Sequence, residues 1–170
     1  MKKLTIAVIL MLILMINVSA TGLQYTSLYV GSNKAFVNDV EKKIDDQNPN
    51  VVVFVENDRS YVPVRFITEN FGGTVMWDEV AQTVKMNINS SVITLTVGKA
   101  EIIFDGNVKT LDAPPILRNE RTYLPLRACV EAIGKKVFYD RGLILISDID
   151  NILHKDFDAD IVDLLISHFK

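Results

Sequence analysis

The side chains with the most chemistry to offer occur twice. Arg59, Tyr61, Arg65, Glu69, Trp77 and Asp78 follow one another closely, and 62 positions later Arg121, Tyr123, Arg127, Glu131, Tyr139 and Asp140 keep the same order. A guanidinium beside a carboxylate suits ion pairing or the grip of an acidic ligand, and aromatic rings suit stacking against sugars. Sets that mark catalysis are missing: there is no Gly-rich phosphate loop, no G-x-S-x-G turn, no H-E-x-x-H and no Cys/His cluster. The two histidines, His154 and His168, leave little room for a His-rich metal site, and the single Cys129 excludes an internal disulfide. A formal charge of −3 without clustered Lys and Arg gives no footprint for nucleic acid. No cofactor and no metal are expected.

Each repeated polar residue has a structural and a functional reading. Arg65 and Glu69, like Arg127 and Glu131, are spaced for a helix-surface pair worth about 0.3–0.5 kcal/mol. The order is poor, because a cation in the first turn opposes the helix dipole. A better partner is therefore expected for each arginine in the hairpin that follows, Asp78 for Arg65 and Asp140 for Arg127. The functional alternative is an acidic ligand such as an anionic wall polymer. Tyr61, Tyr123, Trp77 and Tyr139 read as core aromatics with satisfied polar tips, an aromatic platform for sugars being the alternative. Cys129, among apolar neighbours at helical spacing, reads as a small core residue.

The duplication organises the chain. Nine of the 22 pairs between Asn57–Asp78 and Asn119–Asp140 are identical. Upstream, Leu28-Tyr-Val-Gly31 matches Leu95-Thr-Val-Gly98 at an offset of 67, and the five-residue difference falls in the polar loop around Asp45–Asn50. Insertions belong in surface loops. In each stretch two short runs flank a turn dipeptide: Lys34–Val37 and Val40–Ile44 around Asn38-Asp39, Glu101–Phe104 and Asn107–Leu111 around Asp105-Gly106. A strand (Val51–Val55; Ile116–Leu117) and a turn (Asn57-Asp58; Asn119-Glu120) follow. Pro63 and Pro125 then open helices at the first helical position. Their apolar stripes are Val64, Ile67, Phe71 and Leu126, Cys129, Ile133, and Gly72 and Gly134 end them. Hairpins close each stretch, Val75–Trp77 to Thr83–Ile88 and Val137–Tyr139 to Leu143–Ile146. Helices of about eight residues cannot stand alone, so the expected fold is α+β, with antiparallel hairpins packed around short α-helices.

The pattern Arg-[Ser/Thr]-Tyr-x-Pro-x-Arg-x-x-x-Glu-x-x-Gly, then Val-x-[Trp/Tyr]-Asp, resembles the copper amine oxidase-like N-terminal domain, or stalk domain, common in exported proteins of Gram-positive bacteria. The matching residues are Arg59, Tyr61, Pro63, Arg65, Glu69, Gly72, Val75, Trp77 and Asp78. In the second copy they are Arg121, Tyr123, Pro125, Arg127, Glu131, Gly134, Val137, Tyr139 and Asp140. The resemblance spans residues 28–147 and implies antiparallel sheet around short helices, in a module appended to other extracellular parts. It does not imply the oxidase, whose catalytic domain uses three histidines on copper and a modified tyrosine. Here Tyr139-Asp140 follows Phe138 and both histidines lie outside the repeats.

The two ends carry their own signals. Lys2 and Lys3, the 13-residue run Leu4–Ile16 and the small Val18 and Ala20 read as a signal peptide over residues 1–20, cleaved after Ala20. The run is too short to span a membrane, so stable insertion after cleavage is not expected. Residues 21–148 then form the two-repeat domain (about 28–88 and 95–147), and residues 149–170 an acidic amphipathic helix. In that tail Asp156-x-Asp158-x-Asp160 begins like a calcium loop, but Ile161 and Ser167 stand where Gly and Glu are needed. The aspartates read as helix caps, and Ile161, Leu164, Leu165 and Phe169 as the stripe. The expected function is an exported, non-catalytic module at the cell envelope, attached to or recognising a wall component or another extracellular protein. The alternatives are a small secreted hydrolase using Asp and Glu, and an assembly subunit docking through its terminal helix.

Overall fold

Tight turns set the architecture. In Asn38-Asp39, Asn57-Asp58, Asn89-Ser90, Asp105-Gly106, Asn119-Glu120 and Arg141-Gly142 both residues have positive φ. That is the requirement of the two-residue turn whose twist matches paired strands, and Asn, Asp and Gly meet it at least cost. A computed structural model describes residues 24–149, 152–155 and 158–170. The signal-peptide segment lies outside these residues, as does Asp156.

The N-terminal strands are β1 (Tyr25–Tyr29), β2 (Lys34–Val37), β3 (Val40–Lys43), β4 (Phe54–Glu56) and β5 (Arg59–Pro63), then helix α1 (Val64–Asn70), β6 (Thr74–Asp78) and β7 (Thr83–Ile88). There follow β8 (Ser91–Thr96), β9 (Glu101–Phe104), β10 (Asn107–Thr110), β11 (Ile116–Arg118), β12 (Arg121–Pro125), α2 (Leu126–Ala132), β13 (Lys136–Asp140), β14 (Leu143–Ser147) and α3 (Ala159–Ser167). The fold is thus mostly antiparallel sheet with three short helices, of α+β type. Strand order is β13-β14-β1-β2-β3 in one five-stranded sheet and β10-β9-β8-β7-β6 in the other. Each sheet therefore joins strands from both halves of the chain. Between them, β11-β12-β5-β4 form a four-stranded sheet whose centre pairs Tyr61 with Pro125, Val62 with Leu124 and Pro63 with Tyr123.

Local expectations shift by small amounts. Pro63 and Pro125 stand one place earlier than expected. Each is extended (φ −66°, ψ 119°; φ −52°, ψ 130°) and serves as both last residue of its strand and N-cap of its helix. Strand β4 starts only at Phe54, since residues 51–53 run as irregular chain with Val51 and Val53 buried. The helices end as their glycines require. Gly72 N–H donates to Glu69 O and Gly73 N–H to Thr68 O; Gly134 and Lys135 make the same two bonds to Glu131 O and Val130 O. This is the six-to-one and five-to-two closure that needs a left-handed residue, and φ is +82° at Gly72 and +68° at Gly134.

One core fills the space between the sheets. Leu28, Met86, Ile93, Leu95, Ile144 and Ile146 meet Ile67 of α1, Cys129 and Ile133 of α2, and Val62, Leu124 and Tyr123 of the central sheet. Each such side chain contributes about 1.5–3 kcal/mol relative to exposure. A second cluster lies on the opposite face of the β13-β14-β1 sheet, where Phe138, Leu143 and Leu145 are covered by Val162 and Ile166 of α3. Helix α3 is shorter than the expected tail helix and turned by one position. Its packed stripe is Val162, Leu165, Ile166 and Phe169, while Leu164 is exposed. Asp158 occupies the N-cap but its carboxylate accepts from His154 N–H, behind the helix, so it does not cap in the expected sense. The apolar face of α3 thus covers its own sheet. Among the described residues no helix is long and apolar enough to cross a membrane.

Two glycine substitutions should separate conformational strain from crowding. Gly134→Ala strains only the backbone, since a Cβ there meets nothing within 4 Å; it should cost about 1–2 kcal/mol. At Gly73 a Cβ would stand 2.6 Å from Thr68 Cγ2 and 2.9 Å from the Asn87 carbonyl oxygen. Urea unfolding should therefore rank Gly73→Ala below Gly134→Ala, and the reverse order would contradict this packing.

Candidate functional site

The repeated arginines divide into two kinds. Arg59 Nε lies 3.0 Å from Asp112 Oδ2, and Arg121 Nε lies 2.6 Å from Asp45 Oδ2. Each guanidinium also donates to a turn carbonyl, Arg59 to Asn57 O and Arg121 to Glu120 O. Asp45 and Asp112 are 67 positions apart, the offset that relates Leu28 to Leu95. So an arginine of each half ties down the equivalent aspartate of the other. The Arg121–Asp45 pair is the more enclosed, with side chains 28% and 15% exposed against 39% and 48% for Arg59–Asp112. Burial by itself would raise the Asp45 carboxyl. The hydrogen bonds from Arg121 and from the backbone N–H groups of Gln47 and Asn48 outweigh it and hold the carboxyl below its ordinary 3.8.

Arg65 and Arg127 do not make the expected pairings. Arg65 is exposed and, among the described residues, its ion pair is with Glu69 of its own helix, at 4.0 Å. Asp78 instead accepts from Ala81 N–H to close its hairpin loop, and Asp140 pairs with Arg141. Arg127 is exposed, and Glu131 takes Lys109 Nζ at 2.5 Å. Arg65 lines one cleft with Val75, Trp77 and Glu79 of the following hairpin, but the two aspartates expected to receive the arginines are already taken up in their own turns. Pro63, Pro125, Gly72 and Gly134 sit at helix ends as described. Tyr61 and Tyr123 are buried around Phe54, with ring centroids 5.3 and 5.0 Å from it. Burial raises the pKa of both phenols. Tyr139 lies apart on the β13 edge strand, so the four aromatics form no common platform.

Trp77 is different. Half-buried on the inner side of edge strand β6, it lines an open cleft of about 1050 Å³. Val75 lies beside it over a buried floor of Val51, Pro63, Val64 and Val84, and Lys42, Lys43, Asp46, Gln47, Arg65, Glu69, Glu79, Gln82, Glu120 and Arg121 bring polar groups. Two loops wall it. The turn after β6 has four residues, 79–82, where the β13–β14 turn has only Arg141-Gly142. The other wall is the 45–50 loop, which has no counterpart of equal length in the C-terminal half. That loop is pinned. Asp45 accepts two of its N–H groups at 2.9 Å, Asn48 Nδ2 donates to Asn119 O and Asn119 Nδ2 to Asn50 O. Asp45, Asp46, Gln47, Glu79 and Gln82 escaped the motif reading because they lie outside the repeated stretches 57–78 and 119–140. The shared 67-residue offset was the one available pointer to Asp45 and Asp112.

The remaining candidates for chemistry are a buried cysteine and two exposed histidines. Cys129 is fully enclosed and burial pushes its thiol up to about 12, which leaves no thiolate at neutral pH. His168 packs edge-on to Phe36 with Nδ1 2.8 Å from Leu164 O. Among the described residues no three His, Cys, Asp or Glu side chains converge on one point. A donor set with only two histidines in the sequence and no such cluster among the described residues does not fit a copper centre.

A family model described as the copper amine oxidase N-terminal domain matches residues 46–146. No curated protein matches the chain.

The Arg121–Asp45 tie should show in stability. Arg121→Ala should cost about 1–3 kcal/mol at pH 7, as expected for a part-buried hydrogen bond between charges. Arg59→Ala, at the more exposed pair, should cost less than about 1 kcal/mol. The Asp45 contribution is full above pH 3.8 and is lost as pH falls through the lower value the folded chain gives that carboxyl. Denaturant titrations at pH 7 and pH 3 should thus find the Arg121→Ala cost shrinking in acid; a cost independent of pH would contradict the assignment.

Proposed function

Because the chain belongs to the copper amine oxidase N-terminal domain family, in which this domain is a non-catalytic module, we propose that it is an exported recognition module of the cell envelope, holding a wall component or another extracellular protein in the Trp77 cleft. The observation that carries this reading is the division of labour among the repeated residues. Arg59, Arg121, Tyr61, Tyr123, the prolines and the glycines are engaged in the fold, and of the four repeated aromatics it is Trp77 that lines the open concavity. A cleft with apolar surface and a polar rim is the usual form of a binding site. The domain is read as two tandem repeats, about 28–88 and 95–147. The matching strand orders of the two five-stranded sheets and the reciprocal arginine–aspartate ties support that reading. Residues 1–20 serve as the signal peptide and residues 149–170 as a tail carrying α3.

Export and recognition can be tested together. Protein recovered from the medium of the producing cells should begin at Thr21. Mixed with isolated walls, membranes and secreted proteins of those cells, it should sediment with the walls or be captured with a secreted partner. Retention of Met1 inside the cell, or no capture by any fraction, would overturn the reading.

A further inference from the structure

We propose that the Trp77 cleft binds a neutral oligosaccharide, with one pyranose ring stacked on the indole and its hydroxyls donating to Asp46 and Glu79; this deepens the reading of the cleft as a recognition site and rests on it. Size is the first argument. A cleft of about 1050 Å³ lies at the upper end of small-molecule sites, so it suits several units of a polymer better than one compact ligand.

Charge is the second. Of the cations around the cleft, Arg121 is held by Asp45, Arg65 lies against Glu69, and Lys42 donates to Asn70 Oδ1 at 2.9 Å. Lys43, Asp46, Glu79 and Glu120 also line the cleft, and their side chains make no hydrogen bond or ion pair among the described residues. Lys42 keeps its charge beside the neutral Asn70, so the unpaired groups are three carboxylates against two ammoniums, a small excess of acceptors and of negative charge. An anionic polymer meets repulsion there, which argues against an acidic wall polymer at this place. What the rim asks for is a donor.

The third argument separates sugar from peptide. A peptide laid along the cleft brings a carbonyl for every N–H, and few donors remain to satisfy those carbonyls once the paired cations are set aside. A sugar hydroxyl donates and accepts, and it rotates to suit its neighbours. The apolar face of a pyranose matches the face of Trp77, while its equatorial hydroxyls reach outward toward the rim. The two walls belong to the segments by which the halves differ, 45–50 and 79–82. One wall is already fixed by the Asn48 and Asn119 bonds, so less order must be imposed on binding.

The chain contains one tryptophan, which makes its emission a reporter of the cleft alone. The purified chain is titrated with tetra-N-acetylchitotetraose, cellotetraose and tetralysine. At least one of the sugars should shift Trp77 emission saturably, and tetralysine should not. Asp46→Ala/Glu79→Ala alters two exposed side chains outside the core, and should weaken the sugar about tenfold by calorimetry, as loss of a hydrogen bond to a charged group predicts. Trp77→Ala, with folding checked by circular dichroism, should abolish binding. The proposal is overturned if neither sugar moves the emission, if only tetralysine does, or if the double variant binds sugar unchanged. Capture by wall fractions that neither sugar competes away would retire this ligand class and leave the envelope reading in place; failure of capture beside a sugar-dependent shift would do the reverse.

Discussion

The ladder between β5 and β12 is the constraint on which the rest depends. Val62 pairs with Leu124 at its centre, and the flanking pairs, Tyr61 with Pro125 and Pro63 with Tyr123, exchange equivalent positions on the two strands. A register of that kind joins the two halves of the chain through one antiparallel ladder. Everything attached to the two strands follows suit. Helix α1 packs against β12 and helix α2 against β5, so each helix rests on the other half's strand. The backbone repeats the pattern, with Gly31 N–H donating to Val53 O and Gly98 N–H to Pro115 O. Neither half buries its apolar surface without its neighbour, because each five-stranded sheet is completed by strands from both.

One asymmetry in this frame concerns closure. Strand β7 passes to β8 through the two-residue turn Asn89-Ser90, whereas the corresponding pair β14 and β1 joins residues more than a hundred positions apart. Five register pairs hold that seam, from Tyr25 opposite Ser147 to Tyr29 opposite Leu143. Helix α3 covers its outer face, with Phe169 stacked on Tyr29 at 5.7 Å. The tail thus reinforces the one place where the sheet has no covalent turn. The cleft arises from a second asymmetry: the frame fixes strands and helices, and only the loops that do not pair, 45–50 and 79–82, can differ between the halves without disturbing it.

Much of this was legible in the residues. Asn-Asp, Asp-Gly and Asn-Glu dipeptides marked turns because positive φ is a local demand, and Gly72 and Gly134 marked helix ends for the same reason. The stripes of α1 and α2 also read correctly, since Val64, Ile67 and Phe71, and Leu126, Cys129 and Ile133, are buried. What could not be read was any partner chosen across a distance. Arg121 finds Asp45 across 76 positions and Arg59 finds Asp112 across 53, while the nearby carboxylates that local spacing offered to Arg65 and Arg127 go elsewhere. The stripe of α3 was misplaced by one residue because its pattern is apolar on three of its sides, and only the sheet beneath decides which faces inward. The cleft was invisible for a related reason: Asp46 and the Trp77–Glu79 hairpin line it from two segments more than thirty positions apart.

Native-state hydrogen exchange tests the central claim most directly. If the β5–β12 ladder makes the two halves one cooperative unit, amides of β5, β12 and the β1–β14 seam should exchange only through global unfolding, with free energies that coincide and equal the stability measured by denaturant. Exchange of either half at a distinctly lower free energy, with the other half still protected, would contradict the account.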